Sequence, residues 1–226
     1  MKQMSILVGA VVFSIVSSSL GAEVGGLDTV PHAPGGQGWS VLSGQTMGTG
    51  QTALMGQAGF PGISGTLLHG LGPSTDVGAR FAFDYGGYGL GVSHFGSNLG
   101  IRFQGLLKLG LLETSKYNFA LQFEPGPFFE FYGPGTLVGL TMPVKFLFGI
   151  PIASALMFNM GMDIPISVVF NSPSGFAIGF LVGGGFEYFI DRHLSVNFNM
   201  RVGPVITSYS YADLGFEALM GIAYRL

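Results

Sequence analysis

Ser93, His94 and Ser97, with Asp84 a few positions upstream, are the residues whose types and spacing come nearest to a catalytic group. A hydroxyl beside an imidazole that a carboxylate orients is the arrangement of hydrolytic acyl transfer. No spacing here brings those side chains into contact, and a polar loop tip carries the same residues without any chemistry. No catalytic residue is therefore assigned, and the chain is read as not an enzyme. His32, His69, His94 and His193 are scattered with no two at the spacing of a metal pair, so no metal site is expected. The chain has no cysteine, which excludes disulfides, thiolate ligands and lipid attachment through a cysteine. Neither G-x-x-x-x-G-K-[ST] nor G-x-G-x-x-G occurs, and no cofactor is expected. A net charge of −3 without a basic cluster excludes nucleic acid as a partner.

The remaining charges form a stronger pattern than any of these motifs. Hydrophobic residues make up 48% of the chain and charged ones 9%, against about 25% charged in a typical soluble domain. From residue 39 onward the dominant period is two. Along 77–85, Val77, Ala79, Phe81, Phe83 and Tyr85 share one face, and Gly78, Arg80, Ala82 and Asp84 the other. The same split recurs at 99–110, 117–124, 156–163, 196–203 and 215–226. Eleven charges fall on the polar face of such a segment: Arg80, Arg102, Lys108, Lys145, Arg201 and Arg225, with Asp84, Glu124, Asp163, Glu187 and Glu217. The others, Asp76 and Glu130 among them, are placed in the leader, in turns or at strand ends. None lies mid-strand on the apolar face. A lipid-facing surface demands that exclusion, because Arg or Lys there costs roughly 2–4 kcal/mol at the bilayer midplane. In a closed barrel the polar face points inward, where six cations and five anions can pair.

The elements that must hold these residues follow from length and punctuation. Residues 1–21 read as a secretory signal: Lys2 supplies a positive start, Ile6 to Val16 an apolar core, and Ser19 with Gly21 the small residues for cleavage after Gly21, or else after Ala22. Residues 22–38 are an aperiodic, Gly- and Pro-rich leader, and 39–226 the barrel. Turn signals divide the barrel into ten strands, near 47–58, 62–71, 76–85, 98–112, 117–130, 138–149, 154–168, 175–189, 194–207 and 213–226, with eight as the alternative. Segments this long suit tilted membrane strands better than the ~5–6 residues of soluble ones. The expected fold is all-β, a closed antiparallel up-and-down transmembrane β-barrel. Short connections at 73–76, 113–116, 150–153 and 190–193 are expected at one end, with both termini. Pro143 stands mid-strand and calls for a bulge or a shifted register. A spanning helix over 164–186 is disfavoured by Pro165, Pro173 and five glycines within it.

Two stretches, 183–196 (GGGFEYFIDRHLSV) and the last strand with Met220, Ile222 and Tyr224, resemble those of small bacterial outer-membrane β-barrel proteins. The resemblance implies a bacterial outer-membrane location in contact with lipid and lipopolysaccharide. It also implies that the outer-membrane assembly machinery reads the C-terminal strand, although here the terminus is Leu226 rather than an aromatic residue. The expected role is structural or surface-interacting, around an interior largely filled by side chains. A narrow pore for small solutes and a lipid-modifying hydrolase are the alternatives.

Overall fold

The structure, a computed structural model, describes residues 38–86, 99–132, 135–171, 174–208 and 210–226. It is all-β, and no helix occurs among the described residues. Fourteen ladder segments run in chain order: β1 (Thr52–Phe60), β2 (Gly62–Gly72), β3 (Thr75–Asp84), β4 (Leu99–Glu113), β5 (Asn118–Phe123), β6 (Gly126–Tyr132) and β7 (Gly135–Thr141). β8 (Val144–Ala153), β9 (Leu156–Ile164), β10 (Ile166–Val169), β11 (Gly175–Gly179), β12 (Leu181–Phe189), β13 (Leu194–Thr207) and β14 (Ser210–Arg225) complete them. Four wall strands are each interrupted once, so β5 with β6, β7 with β8, β9 with β10 and β11 with β12 act as single strands, and the wall has ten. Neighbours are antiparallel in chain order, and β1 pairs with β14 from Ala53 opposite Arg225 to Phe60 opposite Ala218. The sheet thereby closes into a ten-stranded barrel, not the alternative eight, and has no free edge.

Three of the four interruptions fall at a proline: Pro125 between β5 and β6, Pro143 between β7 and β8, and Pro165 between β9 and β10. The fourth falls at Phe180, whose N–H bonds the Pro204 carbonyl on β13. A proline has no N–H to give the ladder, yet each of the other three carbonyls still accepts across the wall. Gly105 donates to Pro125 at 2.8 Å, Glu124 to Pro143 at 3.0 Å and Gly179 to Pro165 at 2.9 Å. The sheet therefore loses single bonds along a row of neighbouring strands without parting. Pro143 needs no register slip: β8 keeps unbroken pairing with β9 from Val144 opposite Ile164 to Pro151 opposite Met157.

Alternation sorts the residues as the sequence implies. Phe81, Phe103, Phe186, Met220, Ile222 and Tyr224 stand exposed on the outer face, and Arg102, Gln104, Lys108, Asn197 and Asn199 are buried on the inner one. The outward rings also meet across strands, with Phe81 and Phe103 centroids 5.0 Å apart. One boundary differs from expectation: the first strand starts at Thr52, not at 47. Gly48 and Gly50 have φ of 80° and 76°, a left-handed conformation that ends any extended run. The residues before them do not join the wall.

Candidate functional site

The interior of the barrel is the candidate site, and it has three levels. At the end that carries the tight turns and Leu226, residues 39–47 lie inside the lumen. Trp39, Ser40, Ser43 and Met47 are at most 1% exposed. The segment is apolar where it meets Met55, Leu68, Leu106, Met157 and Phe189, and Trp39 sets its ring edge-on to Phe189 at 5.3 Å. Its backbone is fastened by wall groups. The Lys108 ammonium donates to the carbonyls of Ser40, at 2.9 Å, and Gln45. Asp76 accepts the Met47 N–H at 3.0 and 3.1 Å. Glu187 accepts the hydroxyls of Ser40 at 2.6 Å and of the wall residue Ser195 at 2.9 Å. The indole N–H of Trp39 donates to the Arg192 carbonyl at 3.0 Å, and the Arg225 guanidinium lies 5.6 Å from the Trp39 ring centroid. A Cβ at Gly44 would fall 2.5 Å from the Phe119 backbone, so only glycine fits that contact. The segment is thus a plug, seated by apolar packing and by buried charge.

At mid-height, charges bridge the lumen. Glu124 lies 2.7 Å from the Lys145 ammonium and 3.5 Å from Arg80. Asp163 lies 3.8 Å from Lys145 and 3.3 Å from Arg201, and Arg201 lies 3.7 Å from Glu217. Three cations and three anions alternate around this chain, each at most 9% exposed at its side chain. Buried to this degree, such groups are stable only as a connected set. Gln122 donates to Glu124, and Asn199 donates to Glu217 at 3.1 Å, which extends the set with neutral amides.

Beyond the mid-height chain, Arg102 makes a two-pronged contact with Asp84 at 2.6 and 2.7 Å. Glu130 stands nearby on β6.

All eleven sequence-assigned charges point into the lumen. Asp84, Arg102, Lys108, Glu124, Lys145, Asp163, Glu187, Arg201 and Glu217 are buried there, Arg80 is nearly so with its side chain 9% exposed, and Arg225 is half-buried. The structure corrects the placement of two more. Asp76 and Glu130, assigned to turns or strand ends, are 0% and 7% exposed and belong to the interior. Both strands continue past the expected limits, so both residues keep the inward parity of their strand. Among the histidines, Nδ1 of His69 is 2.8 Å from the Thr52 hydroxyl, and His193 sits in the β12–β13 turn. In that turn the Asp191 carboxylate accepts the N–H groups of His193 and Leu194, at 2.6 and 2.8 Å, which hold its carboxyl below the usual range. Ser93, His94, Ser97 and His32 lie outside the described residues, as do the signal and all of the leader but Gly38. No cluster of metal-binding side chains occurs among the described residues. Neither a protein-family model nor a curated protein matches the sequence.

Proposed function

We propose that the chain is a bacterial outer-membrane barrel with a structural or surface-interaction role, closed to the steady passage of solutes. The observation that carries this reading is the inverted distribution of polarity. Phe103, Ile222 and Met220 are 51, 57 and 64% exposed on the wall, while the lumen holds the charges. Monomeric soluble proteins rarely expose contiguous apolar area beyond a few hundred Å², whereas a barrel in lipid requires it. The closed ladder meets the second demand of hydrocarbon, that no strand edge be left unpaired. In this reading residues 1–21 direct export and are removed, lipid and lipopolysaccharide contact the wall, and the plugged end faces the periplasm. The outward residues Met220, Ile222 and Tyr224 of the closing strand are those offered to the assembly machinery.

Closure rests on the plug and the mid-height chain of ion pairs, which lie in series along the lumen. Both oxygens of Asp84 are engaged by Arg102, which leaves that carboxylate no lone role in orienting an imidazole. The folded protein, reconstituted in planar bilayers, is expected to give no steady unitary current. Long-lived, uniform openings would instead make it a pore.

Membrane embedding has its own test in stability. Phe103→Arg places a cation on the apolar wall and is expected to lower unfolding free energy in lipid bilayers by about 2–4 kcal/mol. The opposite face is one residue away, because Gln104 is 3% exposed and donates to the Glu124 carbonyl at 3.0 Å. Gln104→Glu, which stays within the polar lumen near Arg80, is expected to cost less. Equal or reversed penalties would contradict a lipid-facing wall.

A further inference from the structure

We infer that the lumen above the plug is a binding site for water: a short file of internal waters crosses the charged mid-height level and ends on the plug. The inference rests on the barrel and its lumen, not on where the barrel resides.

Three buried groups at mid-height call for a partner that the protein does not supply. The Thr66 hydroxyl, Nε of Arg80 and Oε1 of Gln122 are sealed from the surface, and no hydrogen bond reaches them among the described residues. Thr66 and Gln122 are each 6% exposed, and the Arg80 side chain 9%. A buried donor or acceptor left unpaired is costly, and a bridging water offsets that cost nearly as well as a direct bond. All three border one cavity, of about 30 Å³, whose floor is Val41 and Leu42 of the plug. Water matches the set: it accepts from the Arg80 Nε–H, donates to Gln122 Oε1 and does either with the Thr66 hydroxyl. An ion is disfavoured, because the charges at this level already balance, three against three.

This cavity does not stand alone. A second, of about 10 Å³, shares Arg80, Glu217 and Leu219 with it. A third, of about 50 Å³ and nearer the end opposite the plug, shares Asp84 and Arg102 with the second. The three therefore follow one another along the lumen. A water takes up at least roughly 10–15 Å³ of such space and needs two to four polar partners, so they hold about two, one and three or four molecules. Spaces of this size admit nothing larger.

The plug is where the file ends. Leu42 borders the lowest cavity and is the one residue of 39–47 that is not buried. Beside it Trp39, Met47, Met157 and Phe189 pack into the apolar cluster of the plugged end. The mid-height charges thus let water by while barring solutes.

X-ray radiolysis of the folded barrel in detergent tests the file, because hydroxyl radicals formed from internal water oxidise the side chains beside it. Met55 borders the lowest cavity, whereas Met157, 0% exposed in the apolar cluster, borders none of the three. Peptide mass spectrometry is expected to find Met55 oxidised several-fold faster than Met157. Thr66→Ile, which removes the hydroxyl and fills the space, is expected to abolish that excess. Leu219→Phe, which fills the space from another wall and leaves Thr66, Arg80 and Gln122 in place, is expected to do the same, and it decides the matter if the Thr66 variant does not fold. Equal oxidation of Met55 and Met157, or an excess that survives in either folded variant, would overturn the inference. Steady unitary currents would sink the closed-barrel reading, whereas the Met55 excess reads the waters alone.

Discussion

Lys108→Met is expected to cost about 3–5 kcal/mol of unfolding free energy and to unseat the plug. The ammonium is wholly buried and donates to two carbonyls of the inserted segment, those of Ser40 and Gln45. Asp76 and Glu187, both 0% exposed, share this end of the lumen. Methionine keeps most of the volume but removes the only buried cation among the described residues of that level, so two carboxylates and two carbonyls lose their compensation at once. Trp39, the one tryptophan of the chain, is a built-in reporter, since it is 0% exposed when the plug is seated. Its emission in the folded variant is expected to shift to the red, and denaturant unfolding in bilayers to show the loss of stability. An unchanged emission maximum with a cost below about 1 kcal/mol would show that the plug is held by apolar packing alone.

The second large effect is expected at Glu124. Its carboxylate faces Lys145 and Arg80 and accepts from Gln122, so Glu124→Leu leaves two buried cations with one anion fewer. Removing one member of a buried set costs about 3–5 kcal/mol, mostly through the charge left behind. Lys145→Met in the same chain is expected to restore part of that loss, because it removes one of the stranded cations while Asp163 retains Arg201 at 3.3 Å. A double-mutant cycle on folded barrel gives the coupling directly, and strictly additive penalties would mean that the mid-height charges do not act as a connected chain.

Much of this architecture was legible because a barrel wall imposes one rule on every strand. Strict alternation, with charge confined to one face, identified the inward set from Arg80 to Arg225 and separated Phe103 from Gln104. Length and turn residues then gave ten strands. Asp76 and Glu130 stand at the ends of strands, where turn signals and parity point to different placements. Asp76 shares the parity of Arg80 and Asp84, and Glu130 that of Gln122 and Glu124 across Pro125 and Pro127.

The plug was illegible for a different reason. Residues 39–47 have no ladder partner to impose a period, and their fold comes from contacts made to distant parts of the chain, such as Trp39 to Arg192 and Met47 to Asp76. A lone tryptophan directly after an aperiodic leader was the available signal. The row of prolines was also out of reach from sequence. Pro125, Pro143, Pro165 and Pro204 are neighbours only once the strand registers are known.

The central claim, an apolar wall in lipid around a closed polar lumen, is tested most directly by spin labels in β4. The chain has no cysteine, so single cysteines at positions 101 to 107 can each be labelled without background. Collision rates with oxygen, which concentrates in hydrocarbon, and with a water-soluble nickel chelate are then measured in bilayers. Oxygen maxima are expected at 101, 103, 105 and 107, minima at 102, 104 and 106, and low chelate access throughout. High chelate access at Phe103, or the absence of a two-residue period, would contradict it.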